Sequence, residues 1–143
     1  MSQCPICEKH ETVNEDVLFE NQNWVITHGP LASQLFGYIY IEPKRHVENW
    51  TEFTDSELAE IGPLIKKVES ALKEVISIDR LYSVTISEAV RHIHFHLITR
   101  ETTSEVKGLP LIEQATQQKV VTEQRISEAE LLHVKTKLKS VLS

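Results

Sequence analysis

Three of the seven histidines in this chain, His92, His94 and His96, occupy alternate positions in Val90-Arg91-His92-Ile93-His94-Phe95-His96-Leu97-Ile98. In an extended chain successive side chains point to opposite faces, so the three imidazoles share one side and Ile93, Phe95 and Leu97 the other. On a helix the same three would scatter. Two chemistries fit such a row. Three imidazoles could hold a catalytic zinc with a fourth position open. Alternatively they could bind and attack a phosphate, one as nucleophile and another as proton donor or charge stabiliser. A merely tolerated polar face is the bland alternative, and strict alternation with apolar residues weakens it. Zinc on the row itself is disfavoured by reach. The outer Cα atoms lie roughly 13 Å apart at a strand rise of about 3.3 Å, against a zinc–imidazole bond of about 2 Å. The two cysteines, Cys4 and Cys7, form a C-x-x-C. That spacing suits metal binding or thiol redox chemistry, and the lack of a strand-to-helix context around it counts against the second.

The elements that must position these groups follow from periodicity. Residues 1–15 read as a polar lead-in around the cysteines. Strands are expected at 16–20 and 24–27, joined by the Asn21-Gln22-Asn23 turn and ended by Gly29-Pro30, then at 37–41, stopped by Pro43. Thr54-x-x-Glu57 fits a capping box that opens the one long helix, with Leu58, Ile61, Leu64, Ile65, Val68, Leu72 and Val75 as its buried stripe. Pro63 either kinks this helix or marks its true start. Strands follow at 81–86 and 90–99. Ser127-x-x-Glu130 caps a C-terminal helix to about residue 142, with Leu131, Leu132, Val134, Leu138 and Val141 on its apolar side. Strands, helix, strands, helix make an α+β domain around a mainly antiparallel sheet. Segment 101–126 is the least legible.

At 143 residues the chain fits one domain, expected to span 1–143, and 41% hydrophobic with 25% charged residues is an ordinary globular balance. A net charge of -6 argues against a nucleic-acid surface while leaving room for a nucleotide in a local site. No apolar run approaches the ~20 residues of a membrane helix. Met1-Ser2-Gln3-Cys4-Pro5 lacks an apolar leader core, so the expected compartment is the cytoplasm. His10 and His133 read as solvated and His28 as a loop residue beside Gly29-Pro30. Trp24, Phe36 and Tyr38 could line a base pocket, although strand aromatics more often belong to the core.

His92-Ile93-His94-Phe95-His96-Leu97-Ile98 resembles the signature of the histidine triad (HIT) family. Gly37-Tyr38-Ile39-Tyr40-Ile41-Glu42-Pro43-Lys44-Arg45-His46 is similar to the family's strand ending in a Pro-Lys-x-His turn, and the capped helix and Arg100 also stand where the family has them. The likeness covers about residues 4–100, leaving 101–143 as a C-terminal extension. It implies a HIT-like homodimer with a cleft for a purine nucleotide. The implied activity is hydrolysis or transfer at the α-phosphate of a nucleoside phosphoramidate or dinucleoside polyphosphate. His94 would be the nucleophile, forming a nucleotidyl-histidine, His96 would hold the phosphate, and His92 would complete the catalytic row. An ordinary pKa near 6.5 leaves much of an imidazole neutral and nucleophilic at physiological pH. The resemblance also implies a closed structural zinc on Cys4, Cys7, His46 and His92, two thiolates and two imidazoles.

The chain departs from the family in places. Where the family has Gly-Gln-Ser/Thr-Val before the triad, this chain has Ser87-Glu88-Ala89-Val90. That puts a carboxylate, Glu88, at a substrate-binding position and removes a hydroxyl. An aspartate that contacts ribose in the family is matched by Thr27. The competing expectation is therefore a catalytically weak nucleotide- or partner-binding protein of the same family.

Overall fold

The computed structural model describes residues 3–12, 15–119 and 121–143. Five strands, β1 (Val17–Glu20), β2 (Trp24–His28), β3 (Ile39–Pro43), β4 (Ile78–Val84) and β5 (Phe95–Glu101), form one antiparallel sheet in the order β1-β2-β3-β5-β4. Five helices accompany it: α1 (Pro5–His10), α2 (Asp55–Ala59), α3 (Ile61–Val75), α4 (Leu109–Ala115) and α5 (Glu128–Leu142). The α+β class with a long helix and a C-terminal helix agrees with the sequence pattern.

Strand alternation assigns the two faces of the sheet. Trp24, Ile26, Ile39, Ile41, Phe95 and Leu97 point to one side, where Leu64, Val68 and Leu72 of α3 and Leu138 and Leu142 of α5 close the main core. Thr27, Tyr38, Tyr40, Glu42 and His96 occupy intervening positions and face the other way. Only two short helices cover that second face. Leu111 and Ala115 of α4 pack on Tyr38 and Ile98, and Lys9 and His10 of α1 reach the buried carboxylate of Glu42. The gap between α1 and α4 leaves Tyr40, His94 and His96 reachable.

Several boundaries differ from the periodic reading, each for a local reason. The strand expected at 90–99 begins only at Phe95, because residues before it bend away to meet other partners, so of the three histidines only His96 lies within a strand. β4 is shifted to Ile78–Val84 and β3 to Ile39–Pro43. The long helix is divided at Glu60: the Thr54 capping box opens α2, and α3 restarts at Ile61 with Pro63 in its first turn, where a missing N–H is harmless. The lead-in is partly helical, with Cys4 as the N-cap of α1, while Met1, Ser2, Val13 and Asn14 of it lie outside the described residues. Segment 101–126 contains α4, whose seven residues are too few to show a period. In α5 the Ser127 capping box is present, but Leu132 and Val141 are exposed and Leu142 takes the inward place.

Candidate functional site

The histidine row divides between two environments. His92 is fully buried, and its Nε2 lies 2.8 Å from the Pro43 carbonyl oxygen. A carbonyl can only accept, so Nε2 carries the proton and Nδ1 presents a lone pair. Likewise His46 Nε2 sits 3.1 Å from a Glu48 carboxylate oxygen, which fixes its proton there and leaves Nδ1 bare. The two bare Nδ1 atoms are 3.3 Å apart. Neither can donate to the other, so this is convergence of two lone pairs on one point. Cys7 Sγ lies 3.4 Å from each of them, and Cys4 Sγ lies 3.5 Å from His92 Nδ1.

Three contacts produce this corner. Ile93 N–H donates to the Val47 carbonyl at 2.7 Å, which sets the chain after β3 beside the chain before β5 and so puts His46 next to His92. Arg45, one residue before His46, is held by the Glu57 carboxylate at 2.7 Å. Glu42, only 1% exposed, takes Lys9 Nζ at 2.6 Å and His10 Nε2 at 3.0 Å and thereby pins α1 and its cysteines to the sheet. Burial alone would push the Glu42 carboxyl up, but the His10 and Lys9 contacts outweigh it and hold it below the usual range. His10 is thus a half-buried partner of Glu42 and not the solvated surface residue its sequence context suggests; its ring meets that of His92 edge-on at 6.0 Å.

The donor set fits a tetrahedral metal. All four ligand atoms lie within 4.8 Å of one another, and a tetrahedron with bonds of about 2.1 Å to nitrogen and about 2.3 Å to sulfur has edges of about 3.4–3.8 Å. Burial lowers the His92 pKa, the direction that favours a neutral ligand. The cluster is compatible with zinc.

His94 and His96 serve a different space. His94 Nδ1 lies 2.7 Å from the His92 carbonyl oxygen, so its proton is there and Nε2 is left with a lone pair. The His94 backbone N–H donates to Ser87 Oγ at 3.1 Å. Ser87 has φ +55°, the left-handed region that favours glycine. His96, on β5, lies beside His94 with ring centroids 4.8 Å apart and the planes tilted by 58°, and its Nδ1 is 2.6 Å from the Tyr38 hydroxyl. Burial, then the neighbouring His94, lowers the His96 pKa to about 4.

These rings form one wall of a cavity of about 250 Å³, with Tyr38 and Tyr40 beside them, residues 86–90 along the rim and residues 116–118 opposite. Among the described residues no lysine or arginine lines it. Glu88 is on the rim, where its carboxylate pairs with Arg91 at 3.1 Å in an exposed position. The sequence reading missed residues 116–118, which follow a helix too short to detect, and left Tyr38 among three candidate aromatics. Of the other two, Trp24 belongs to the core and Phe36 lines a separate cavity. His28 closes β2, fully satisfied between the Gly29 carbonyl and the Gly37 amide, with burial lowering its pKa to about 4, so it is a core residue. Thr27 is 1% exposed, and its hydroxyl, with no partner among the described residues, borders a further cavity between α1 and β1–β2 of about 350 Å³.

An antiparallel five-stranded sheet that presents a His-x-His-x-His run beside a Cys₂His₂ corner defines a histidine-triad fold. The family model described as the HIT domain matches residues 11–103, and the chain belongs to that family. Solved structures share the fold. A hypothetical histidine triad nucleotide-binding protein from Sulfolobus tokodaii is 18% identical with a TM-score of 0.69, over 97% of this chain and 91% of that one. A Zn-bound histidine triad family protein from Mycobacterium smegmatis is 17% identical with a TM-score of 0.70, over 98% and 93%. A uridylyltransferase is 22% identical with a TM-score of 0.68, over 97% of this chain but only 45% of its own length. No curated protein sequence matches the chain. Among the described residues no helix is long and apolar enough to cross a membrane.

Proposed function

We propose that the chain hydrolyses or transfers a nucleotidyl group at the α-phosphate of a nucleoside phosphoramidate or dinucleoside polyphosphate, with His94 as nucleophile. The observation that carries this reading is the 2.7 Å contact of His94 Nδ1 with the His92 carbonyl, which leaves Nε2 as the nitrogen with a lone pair on a ring that lines the cavity. The Nε2 lone pair forms a bond to phosphorus. The P–N or P–O bond to the leaving group breaks, and its electron pair departs with that group, which takes a proton from water. Water then attacks the nucleotidyl-histidine, the P–N bond to His94 breaks, and a nucleoside monophosphate and a proton are released. His96 contacts a phosphoryl oxygen and stabilises charge there. Of the two leaving groups the cavity favours an amine. A polyphosphate would bring several negative charges to a wall without cations and with Glu88 on its rim.

Zinc on Cys4, Cys7, His46 and His92 completes the reading, and the Zn-bound mycobacterial relative supports it. When bound it supplies structural closure, holding His92 and so the carbonyl that orients His94. The same reading makes 1–143 one HIT-like unit, because α5 packs on α3 and β1 and α4 on β5, and takes it as a cytoplasmic homodimer acting on a purine nucleotide.

Hydrolysis of adenosine 5′-phosphoramidate, with intact-mass detection of trapped nucleotide, tests the proposal. Turnover and an adduct of nucleotidyl mass are expected in the wild type, and His94→Ala should lose at least about 10³-fold in kcat. A folded wild-type chain that binds nucleotide without turnover or adduct would replace the proposal with the binding-protein reading, which Glu88 and Ala89 favour.

A further inference from the structure

We propose that Tyr38 is a positioning residue that decides which nitrogen of His96 carries the proton, turning His96 into a fixed hydrogen-bond donor into the cavity. The inference rests on the reading of His94 as nucleophile and His96 as the phosphate-holding group. Tyr38, immediately before β3, is fully buried, its ring stacked on that of His96 at 5.9 Å and 16°, with its hydroxyl 2.6 Å from Nδ1. A phenol has one proton to give, and it meets two side chains, His96 at Nδ1 and Tyr40; the proposal gives the proton to Nδ1. Burial raises the Tyr38 pKa, so the proton stays on oxygen. With the phenol proton given to Nδ1, that nitrogen accepts, and the single proton of the neutral imidazole is on Nε2.

The consequence separates two roles that an imidazole beside a phosphate could play. A neutral His96 capped at Nδ1 by a buried phenol can donate its Nε2–H to a phosphoryl oxygen, but it cannot surrender that proton. Doing so would leave an imidazolate, unless Tyr38 became a buried phenolate. His96 is thus a stabiliser of phosphoryl charge and not the acid that protonates the leaving group. The other titratable groups facing His96 are Tyr40 and Glu42 from β3 and His94 from its own segment, with Glu88 across the cavity. None of them bonds His96 Nδ1 among the described contacts, so Tyr38 is the residue that can set the tautomer.

The chain is shaped to keep the phenol in place. A Cβ at Gly29 would fall 2.5 Å from the Tyr38 ring, and the Gly29 N–H donates to the Tyr38 carbonyl at 2.7 Å. No side chain fits at position 29 without moving the ring that caps His96. On the other side Leu111 and Ala115 of α4 hold the ring by apolar contact.

Nitrogen-15 NMR of the unliganded chain reads the tautomer directly and needs no turnover. The expected spectrum has His96 Nε2 of the protonated type and Nδ1 of the unprotonated type between about pH 5 and about pH 9. Tyr38→Phe keeps the ring and its packing but removes the donor, so His96 becomes a mixture of tautomers. The expected kinetic effect is a loss of about 10- to 100-fold in kcat, with KM held within about threefold. Gly29→Ala should produce the same mixture by displacing the phenol. A wild-type His96 protonated at Nδ1, a tautomer unchanged in Tyr38→Phe, or a mixed tautomer with undiminished kcat would each overturn the inference. Because the tautomer is read without substrate, a chain with no turnover would sink the catalytic reading while the assignment of Tyr38 stood or fell on its own spectrum.

Discussion

The Cys₂His₂ corner and the neighbouring cavity each draw on the stretch from His92 to His96, yet the imidazoles they take from it are held in opposite ways. At the corner, His92 meets partners on both ring nitrogens, from Pro43 on one side and from Cys4, Cys7 and His46 on the other, and it has no exposure to solvent. In the cavity, His94 and His96 each spend one nitrogen on the protein, on the His92 carbonyl and the Tyr38 hydroxyl, and the proposed function gives the other to the substrate. Full satisfaction gives rigidity, and half satisfaction gives reactivity. The two are coupled through one backbone carbonyl, because the atom that orients His94 belongs to the residue the corner locks.

That coupling can be broken from the corner. Replacing both thiols, Cys4→Ser with Cys7→Ser, should abolish zinc in a metal analysis of the purified chain. It should cost about 3 kcal/mol, or a Tm lower by roughly 10 °C in a thermal scan. If the carbonyl couples the regions, kcat falls by about tenfold as well. Unchanged turnover in a metal-free chain would make the two regions independent.

A smaller break removes the latch that brings α1 to the corner. Glu42→Gln leaves Lys9 and His10 without their buried counter-charge, and Lys9 is partly exposed, so the expected cost is about 2 kcal/mol. Hydrogen exchange should accelerate in α1 and leave β5 as protected as before. Equal acceleration across the sheet would mean that Glu42 supports the core and not the helix.

The smallest effect is expected at the rim of the cavity. Glu88→Gln removes the carboxylate from a wall that lacks cations, and the side chain is exposed, so a shift of only about two- to threefold is expected. It should raise kcat/KM for a dinucleoside polyphosphate relative to a phosphoramidate with an ammonium on its leaving group. A change in the other direction would remove Glu88 from substrate choice.

Much of this arrangement was legible from residue types alone. Alternation placed Ile93, Phe95 and Leu97 in the core, and all three are buried there. The two capping boxes marked helix starts at Thr54 and Ser127, since each is satisfied within four residues of chain. Period and capping are local, and local signals survive in sequence. What alternation could not show is that His92 and His94 precede the strand, that α1 and α4 exist as short helices, or that Leu132 faces outward while Leu142 is buried.

The sequence by itself determined the class of this protein and the residue types available to its chemistry. Three imidazoles in alternation, a thiol pair and the capped helices between them needed no long-range information. The tertiary structure decided which nitrogen of each imidazole is free. That choice rests on partners distant in the chain: Pro43 for His92, Tyr38 for His96, and Cys4 across 88 positions for the corner. It also decided that residues 116–118, beyond the stretch the family shares, face His94 and His96. A tautomer is a property of what lies across from a ring, and only the folded chain puts anything there.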